Sequence, residues 1–201
     1  AFANADLAKE FAGNVTAEEK KRLFFGWHYL HTPYYRRFLE NIDNEKHGKI
    51  RNISINLTVP MIYPNPVRMF ESGQGGVGLD SLCYCLHIAM RLAGFKENVK
   101  VVNSKIKTGK DVYPELEKLK DLDWTIRTEL EFSNGIKGAL SASFDSETVL
   151  SAIVEGTFDD GKVIRINGFN HPHILIKLRR TPILAKPEGK PWESYITEEE
   201  K

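Results

Sequence analysis

At 201 residues the chain is long enough for one large domain with a sizeable core. Its 41% hydrophobic and 27% charged residues are those of globular material and exclude a disordered chain. A formal charge of +1 gives no bulk attraction to nucleic acid or to an anionic membrane surface, and no apolar run reaches the length of a membrane span.

Asn4 or Asp6 caps a predicted helix running to about Ala12, and Thr16-Ala17-Glu18-Glu19 carries a capping-box pattern. Arg22 to Trp27 reads as a short apolar strand. Thr32-Pro33 starts the next helix, with proline in a permitted first-turn position and Tyr34, Phe38 and Ile42 on its apolar face. Ile50, Ile53, Ile55, Leu57 and Val59 form a long strand in which Asn52, Ser54, Asn56 and Thr58 alternate. Pro60 to Pro66 is a loop that leads to Arg68.

The run Gln74-Gly75-Gly76-Val77-Gly78-Leu79-Asp80 then opens a helix. Leu79, Leu82, Cys83, Leu86, Met90 and Ala93 recur at helical spacing as its apolar stripe, and Gly94 ends it. Asp80, Tyr84, His87 and Arg91 form a second, polar stripe, because positions three and four apart are neighbours. That stripe is either a solvated face or a set of groups for proton chemistry. Val99 to Ile106 is a strand, and Val112 to Leu122 a loop or short helix.

Trp124–Phe132, Ile136–Phe144, Val149–Phe158, Lys162–Asn167 and Ile174–Leu178 complete a run of strands. The turns Ser133-Asn134-Gly135, Asp145-Ser146-Glu147 and Asp159-Asp160-Gly161 are short, which implies antiparallel neighbours. The strands' alternation places helices on one sheet face and leaves the other more polar or used for association. The fold class is therefore α+β, a large, mostly antiparallel open sheet with helices on one face. Pro182 to Pro191 reads as a linker, and the Glu-rich end after Trp192 as the start of a helix. Cys83 and Cys85, two apart on a helix, point to different faces and match no metal-ligand spacing; buried thiols in a reducing cytosol are the plain reading.

The ordered series Gly26-Trp27-His28-Tyr29, Lys46-His47-Gly48-Lys49-Ile50-Arg51, Gly75 to Tyr84, Asp123-Trp124-Thr125, Glu155-Gly156-Thr157-Phe158 and Gly168-Phe169-Asn170-His171-Pro172-His173 resembles the second half of the glucose–fructose oxidoreductase / inositol dehydrogenase family (Gfo/Idh/MocA). It is most similar to the dihydrodiol dehydrogenase-like members. The resemblance covers about residues 1 to 180. It implies that Ala1 to Ala8 follow directly on a catalytic lysine, and that the N-terminal Rossmann domain is missing apart from a short remnant. The corresponding division is residues 1–27 as that remnant, 28–181 as the substrate-binding and oligomerisation domain, and 182–201 as linker and tail. The resemblance also implies NAD or NADP in the intact protein, none bound to this chain alone, and a homodimer paired through the sheet.

Oxidising an alcohol with a nicotinamide requires a base within reach of the hydroxyl proton. A free tyrosine, with a pKa near ~10, is a poor base at neutral pH, and a neighbouring lysine cation favours its phenolate. The family's set of lysine, acid and tyrosine or histidine four residues later matches Asp80 and Tyr84 here: Asp80 would orient the substrate or the lysine, and Tyr84 would relay the proton. By the same resemblance His28 faces the substrate, although a histidine satisfied at a strand end fits as well. Arg68 would hold an anionic group bidentately, or pin its loop by a salt bridge. His87, one turn past Tyr84, is a helix-packing residue on this reading.

Two departures from the pattern stand out. Leu30 occupies a position where relatives have arginine, and Gly78 replaces a larger apolar residue at the helix start. Two functions follow. One is the substrate-binding part of an NAD(P)-dependent oxidoreductase acting on a sugar, polyol or cyclic diol. The other is a non-catalytic ligand sensor or transcriptional regulator on the same fold.

Overall fold

The computed structural model describes residues 5–23, 27–43, 47–59, 75–114, 119–144, 151–168 and 196–200; for Ala5, His28, Tyr34 and 196–200 it describes the backbone alone. Helix α1 is Ala5–Asn14 and α2 is Ala17–Lys20. The capping box at α2 is complete: Thr16 Oγ1 accepts from the Glu19 amide at 3.3 Å, and the Glu19 carboxylate accepts from the Thr16 amide at 2.9 Å. The strand expected over Arg22 to Trp27 is absent from its described part. Arg22 lies in a turn, and Trp27 leads into a one-turn 3₁₀ helix, His28–His31.

Helix α3, Pro33–Asp43, begins at proline as expected, and Phe38 and Ile42 are buried together with Tyr35. Strand β1 is Ile50–Thr58. Its alternation is interrupted by an irregularity between Ile50 and Asn52, so the inward set runs Ile50, then Ile53, Ile55 and Leu57. Arg68 and the loop from Pro60 lie outside the described residues.

A π-helical turn, Gly78–Leu82, runs into helix α4, Cys83–Ala93. The rest of the sheet is β2 (Val99–Thr108), β3 (Asp123–Phe132), β4 (Lys137–Ser143), β5 (Ser151–Phe158), β6 (Lys162–Asn167) and β7 (Ile196–Glu200), with a short helix α5 at Gly109–Val112. The seven strands lie in the order β2-β3-β4-β1-β5-β6-β7. Every pairing is antiparallel except β1 with β4.

Hairpins β3–β4 and β5–β6 form at the expected turns. Gly135 (φ 85°) and Gly161 (φ 83°) take the left-handed conformations that glycine tolerates. Two further expectations fail. The short turn at Asp145 implied that β4 and β5 are neighbours, but β1 lies between them, parallel to one and antiparallel to the other. β1 buries Ile50, Ile53, Ile55 and Leu57, and in the sheet's middle both its edges are paired and its inner face covered. The Glu-rich end, expected as a helix, is instead strand β7. Glutamate's helix propensity is a weak prior, and the open edge of β6 supplies backbone partners from Ile166↔Ile196 to Lys162↔Glu200. The strand expected at Ile174–Leu178 lies outside the described residues.

One core lies between the sheet and its helices. Phe38 of α3, Ile88 and Ala89 of α4, and Ile53, Ile55, Leu140, Val154 and Ile164 of the sheet are all buried in it. A smaller cluster gathers Val77, Trp124, Ile126 and Phe144 beneath the glycine-rich lead-in to the π turn. No helix among the described residues is long and apolar enough to cross a membrane.

Candidate functional site

The site is built where the glycine-rich segment meets the start of β3. Gly76 has φ +98°, and a Cβ there would sit 2.0 Å from Asp123 Oδ1. Glycine is therefore required both for conformation and for space. The absent side chain lets Asp123 reach over and accept the Gly78 amide proton at 2.5 Å. Gly78 is itself close-packed: a Cβ would lie 3.1 Å from Asp123 Oδ2 and 3.3 Å from Ile126 Cδ1. The departure from pattern at Gly78 thus has a local steric cause. Burial pushes the Asp123 carboxyl above its ordinary value, against the opposing pull of the Gly78 N–H.

From Gly78 the chain makes one wide turn, closed by the Cys83 amide donating to the Gly78 carbonyl. Such turns recur at functional sites. The expected apolar stripe holds in part: Ala93 is buried, and Leu82 and Met90 pack against the core. The fully buried face is Ser81, Cys85, Ile88, Ala89 and Ala93, whereas Leu86, placed inward by the sequence pattern, is 38% exposed.

Asp80 lies within the wide turn, half-buried, and accepts from Ser81 Oγ at 3.2 Å. Tyr84 follows on the first turn of α4, also half-buried. Its ring meets Trp27 edge-on at 5.1 Å and Tyr29 at 5.9 Å. Trp27 in turn stacks on His87 at 4.5 Å and 18°. Tyr84 and His87 therefore share a helix face against the Trp27–Tyr29 segment. His28 belongs to that same one-turn helix, so its backbone is held against the Tyr84 face, while its side chain is outside what is described. Arg68, His171 and His173 also lie outside.

Trp27, Tyr29 and Asp123 did not emerge as site residues from the sequence. The signal for Trp27 and Tyr29 was the aromatic density of Trp27-His28-Tyr29. For Asp123 it was its place in the Asp123-Trp124-Thr125 segment of the resemblance, which assigned it no role. His87 does pack, as expected, but it also accepts a hydrogen bond. Burial raises the Tyr29 phenol far above its ordinary value, so Tyr29 O–H donates and His87 Nδ1 accepts. Burial, then the Arg91 charge, lowers the His87 value. The two cysteines remain thiols at neutral pH. Burial raises both, Cys85 to about 12, so neither is a ready nucleophile. Among the described residues no cluster of three or more metal-type ligands forms.

No family model matches the sequence, and neither does any curated protein. Solved structures do match. KijD10, a 3-ketoreductase from Actinomadura kijaniata in complex with NADP and TDP-benzene, superposes with TM-score 0.59 at 20% identity over 73% of this chain and 41% of its own. Forms of KijD10 replaced at a lysine and at a tyrosine, positions 102 and 186 of its own chain, are also among the matches. GenD2 from gentamicin A biosynthesis, in complex with NAD, gives TM-score 0.57 at 14% identity over 71% and 38%. Aldose-aldose oxidoreductase from Caulobacter crescentus, complexed with glycerol, gives 0.62 at 16% over 74% and 42%.

The chain spans about two-fifths of the length of these structures. At 14–20% identity the likeness establishes the fold alone: a mostly antiparallel open sheet with helices.

The His87 environment generates a pH prediction. A histidine whose folded value lies below its unfolded value of 6.5 contributes stability that is complete above that pH. The contribution is lost as pH falls from there through the folded value. His87→Asn keeps an acceptor for Tyr29 but cannot titrate. Thermal unfolding followed from pH 7.5 to 5 is expected to show a steeper acid loss in the wild type than in His87→Asn; parallel curves would remove His87 from the account.

Proposed function

We propose that this chain is the substrate-side part of an NAD(P)-dependent oxidoreductase acting on a sugar, polyol or cyclic diol. The observation that carries the reading is the joint placement of Asp80 and Tyr84 on successive turns, with Tyr84 against the Trp27 and Tyr29 rings. The fold shared with an NADP-bound 3-ketoreductase and with NAD-bound GenD2 supports it.

The described residues fit the substrate side of such a reaction and not the dinucleotide. A pyrophosphate needs a glycine-rich turn with free amides at a helix start. The glycine-rich helix start described here already holds the Asp123 carboxylate on its Gly78 amide, and that negative charge repels a phosphate. The dinucleotide would be held by a domain outside these residues and would supply the hydride chemistry.

Within this chain, Tyr84 would exchange the proton of the substrate hydroxyl, and Asp80, one turn earlier, would fix the hydroxyl's direction. The aromatic wall keeps bulk water from one side of Tyr84. His28 and Arg68 would contact the substrate. A lysine directly ahead of Ala1 would stand at the same separation from Tyr84 as the lysine and tyrosine replaced in KijD10, whose positions 102 and 186 differ by 84. Such a lysine would supply the cation that a phenolate needs. Buried thiols suit a reducing, cytoplasmic setting.

The sheet's uncovered face suits a second copy of the chain. A groove of about 640 Å³ runs across it, floored by Asn52, Ser54 and Ala139 and flanked by Glu129, Lys137 and Glu155. Small floor residues and walls of both signs are self-complementary in a twofold pairing. Light scattering of the intact protein at micromolar concentration is expected to give twice its monomer mass, from an interface of at least ~1,000 Å²; a clean monomer contradicts the pairing.

Tyr84→Phe in the intact protein is expected to lower kcat by ~10²–10⁴-fold with little change in KM, because a proton-relay hydroxyl acts mainly in the transition state. Turnover within a few fold of wild type would assign Tyr84 to packing. An intact protein that binds its ligand without any turnover would favour the sensor.

A further inference from the structure

We propose that Asp123 is a positioning residue for the site, tying the glycine-rich lead-in to the edge of the sheet so that the π-helical turn holds Asp80 and Tyr84 in working register. The inference rests on the oxidoreductase reading, but its geometric core does not. Asp123 is the first residue of β3 and pairs there with Thr108 of β2, two residues before the strand is paired on both sides. Its carboxylate takes the Gly78 amide at 2.5 Å across 45 positions of sequence. Gly76 faces the same carboxylate with no Cβ, and the Gly76 carbonyl accepts the Asp80 amide at 3.1 Å.

The carboxylate, Gly76, Gly78 and Asp80 therefore form one connected unit, with Tyr84 one turn further on. Deleting the carboxylate frees the Gly78 amide and removes the restraint that fixes where the wide turn begins. An α-helical start would then compete, and it would rotate Asp80 relative to Tyr84. A partly buried carboxylate is an uncommon choice for a purely structural brace, because burial disfavours its charge. That cost is consistent with a part retained for placement rather than for stability.

The test uses Asp123→Ala, which removes the acceptor, and Asp123→Asn, which keeps an acceptor oxygen without charge. In amide NMR of the 201-residue chain, Asp123→Ala is expected to shift Gly78, Asp80 and Tyr84 while distant strands stay in place. Asp123→Asn should move Asp80 and Tyr84 far less. In the wild type the Gly78 amide should follow a carboxyl titration above the ordinary aspartate value of 3.8, and Asp123→Asn should abolish it. In the intact oxidoreductase, Asp123→Ala is expected to lower kcat by about a hundredfold with KM nearly constant, and Asp123→Asn to recover most of that loss.

Unmoved Asp80 and Tyr84 amides in a folded Asp123→Ala chain overturn the proposal. If that variant does not fold, a wild-type Gly78 amide that senses no carboxyl titration overturns it instead. Should Tyr84→Phe leave turnover intact, the catalytic reading falls while the amide signature still decides the positioning claim.

Discussion

The burial of β1 in the middle of the sheet is the constraint on which the other features depend. Ile53, Ile55 and Leu57 must be covered, and a strand covered on its inner face is most stable with both edges paired. β5 takes one edge antiparallel, and β4 takes the other in parallel. A parallel pair needs a long crossover, here one that includes α4. The crossover lays α4 over β1 and β4, and its amino-terminal approach is carried past the start of β3. That is how Gly78 comes to meet Asp123, and how Tyr84 comes to face the Trp27–Tyr29 turn.

The sheet's ends follow the opposite rule. β2 carries Lys100, Lys105 and Lys107 and a register irregularity between Val101 and Asn103, and its apolar residues are exposed, Val101 at 59%. Lysines and irregularities on an edge strand discourage pairing with another chain's edge. On the proposed reading a second copy would sit on the sheet's open face, whose groove is lined by Asn52, Ser54, Ala139, Glu129, Lys137 and Glu155 together with Val102 of β2.

Much of this was legible in the sequence, and what was not has identifiable causes. Strand alternation in β3 and in the β5–β6 pair is local, and so are the glycine turns at Gly135 and Gly161; all read correctly. The insertion of β1 between β4 and β5 is not local. A short turn after Phe144 argued for adjacency and lost to the larger gain from burying β1. The Glu-rich end carried helix propensity but met an open edge at β6. Within the site, the four-residue spacing of Asp80 and Tyr84 was visible. The apolar stripe of α4 was read only in part: Ala93, Leu82 and Met90 do meet the core, but Cys85, Ile88 and Ala89 are the buried face and Leu86 is exposed; the π turn before it has no single-residue signature. The Asp123–Gly78 bond links positions too far apart for pattern reading, and the need for glycine at Gly76 became visible only in the structure. Arg68 and the side chain of His28 lie outside the described residues, so their part in the site stands as sequence expectation.

On the proposed reading labour is divided: this chain would supply proton transfer and substrate orientation, and the Asp123 carboxylate on the Gly78 amide would disfavour a dinucleotide phosphate at its glycine-rich helix start. Titrating the purified 201-residue chain with NADPH, and following cofactor fluorescence, tests it most directly. The account predicts no saturable binding into the high micromolar range. Saturable binding at low micromolar NADPH, lost on competition with unlabelled NADP, would contradict it.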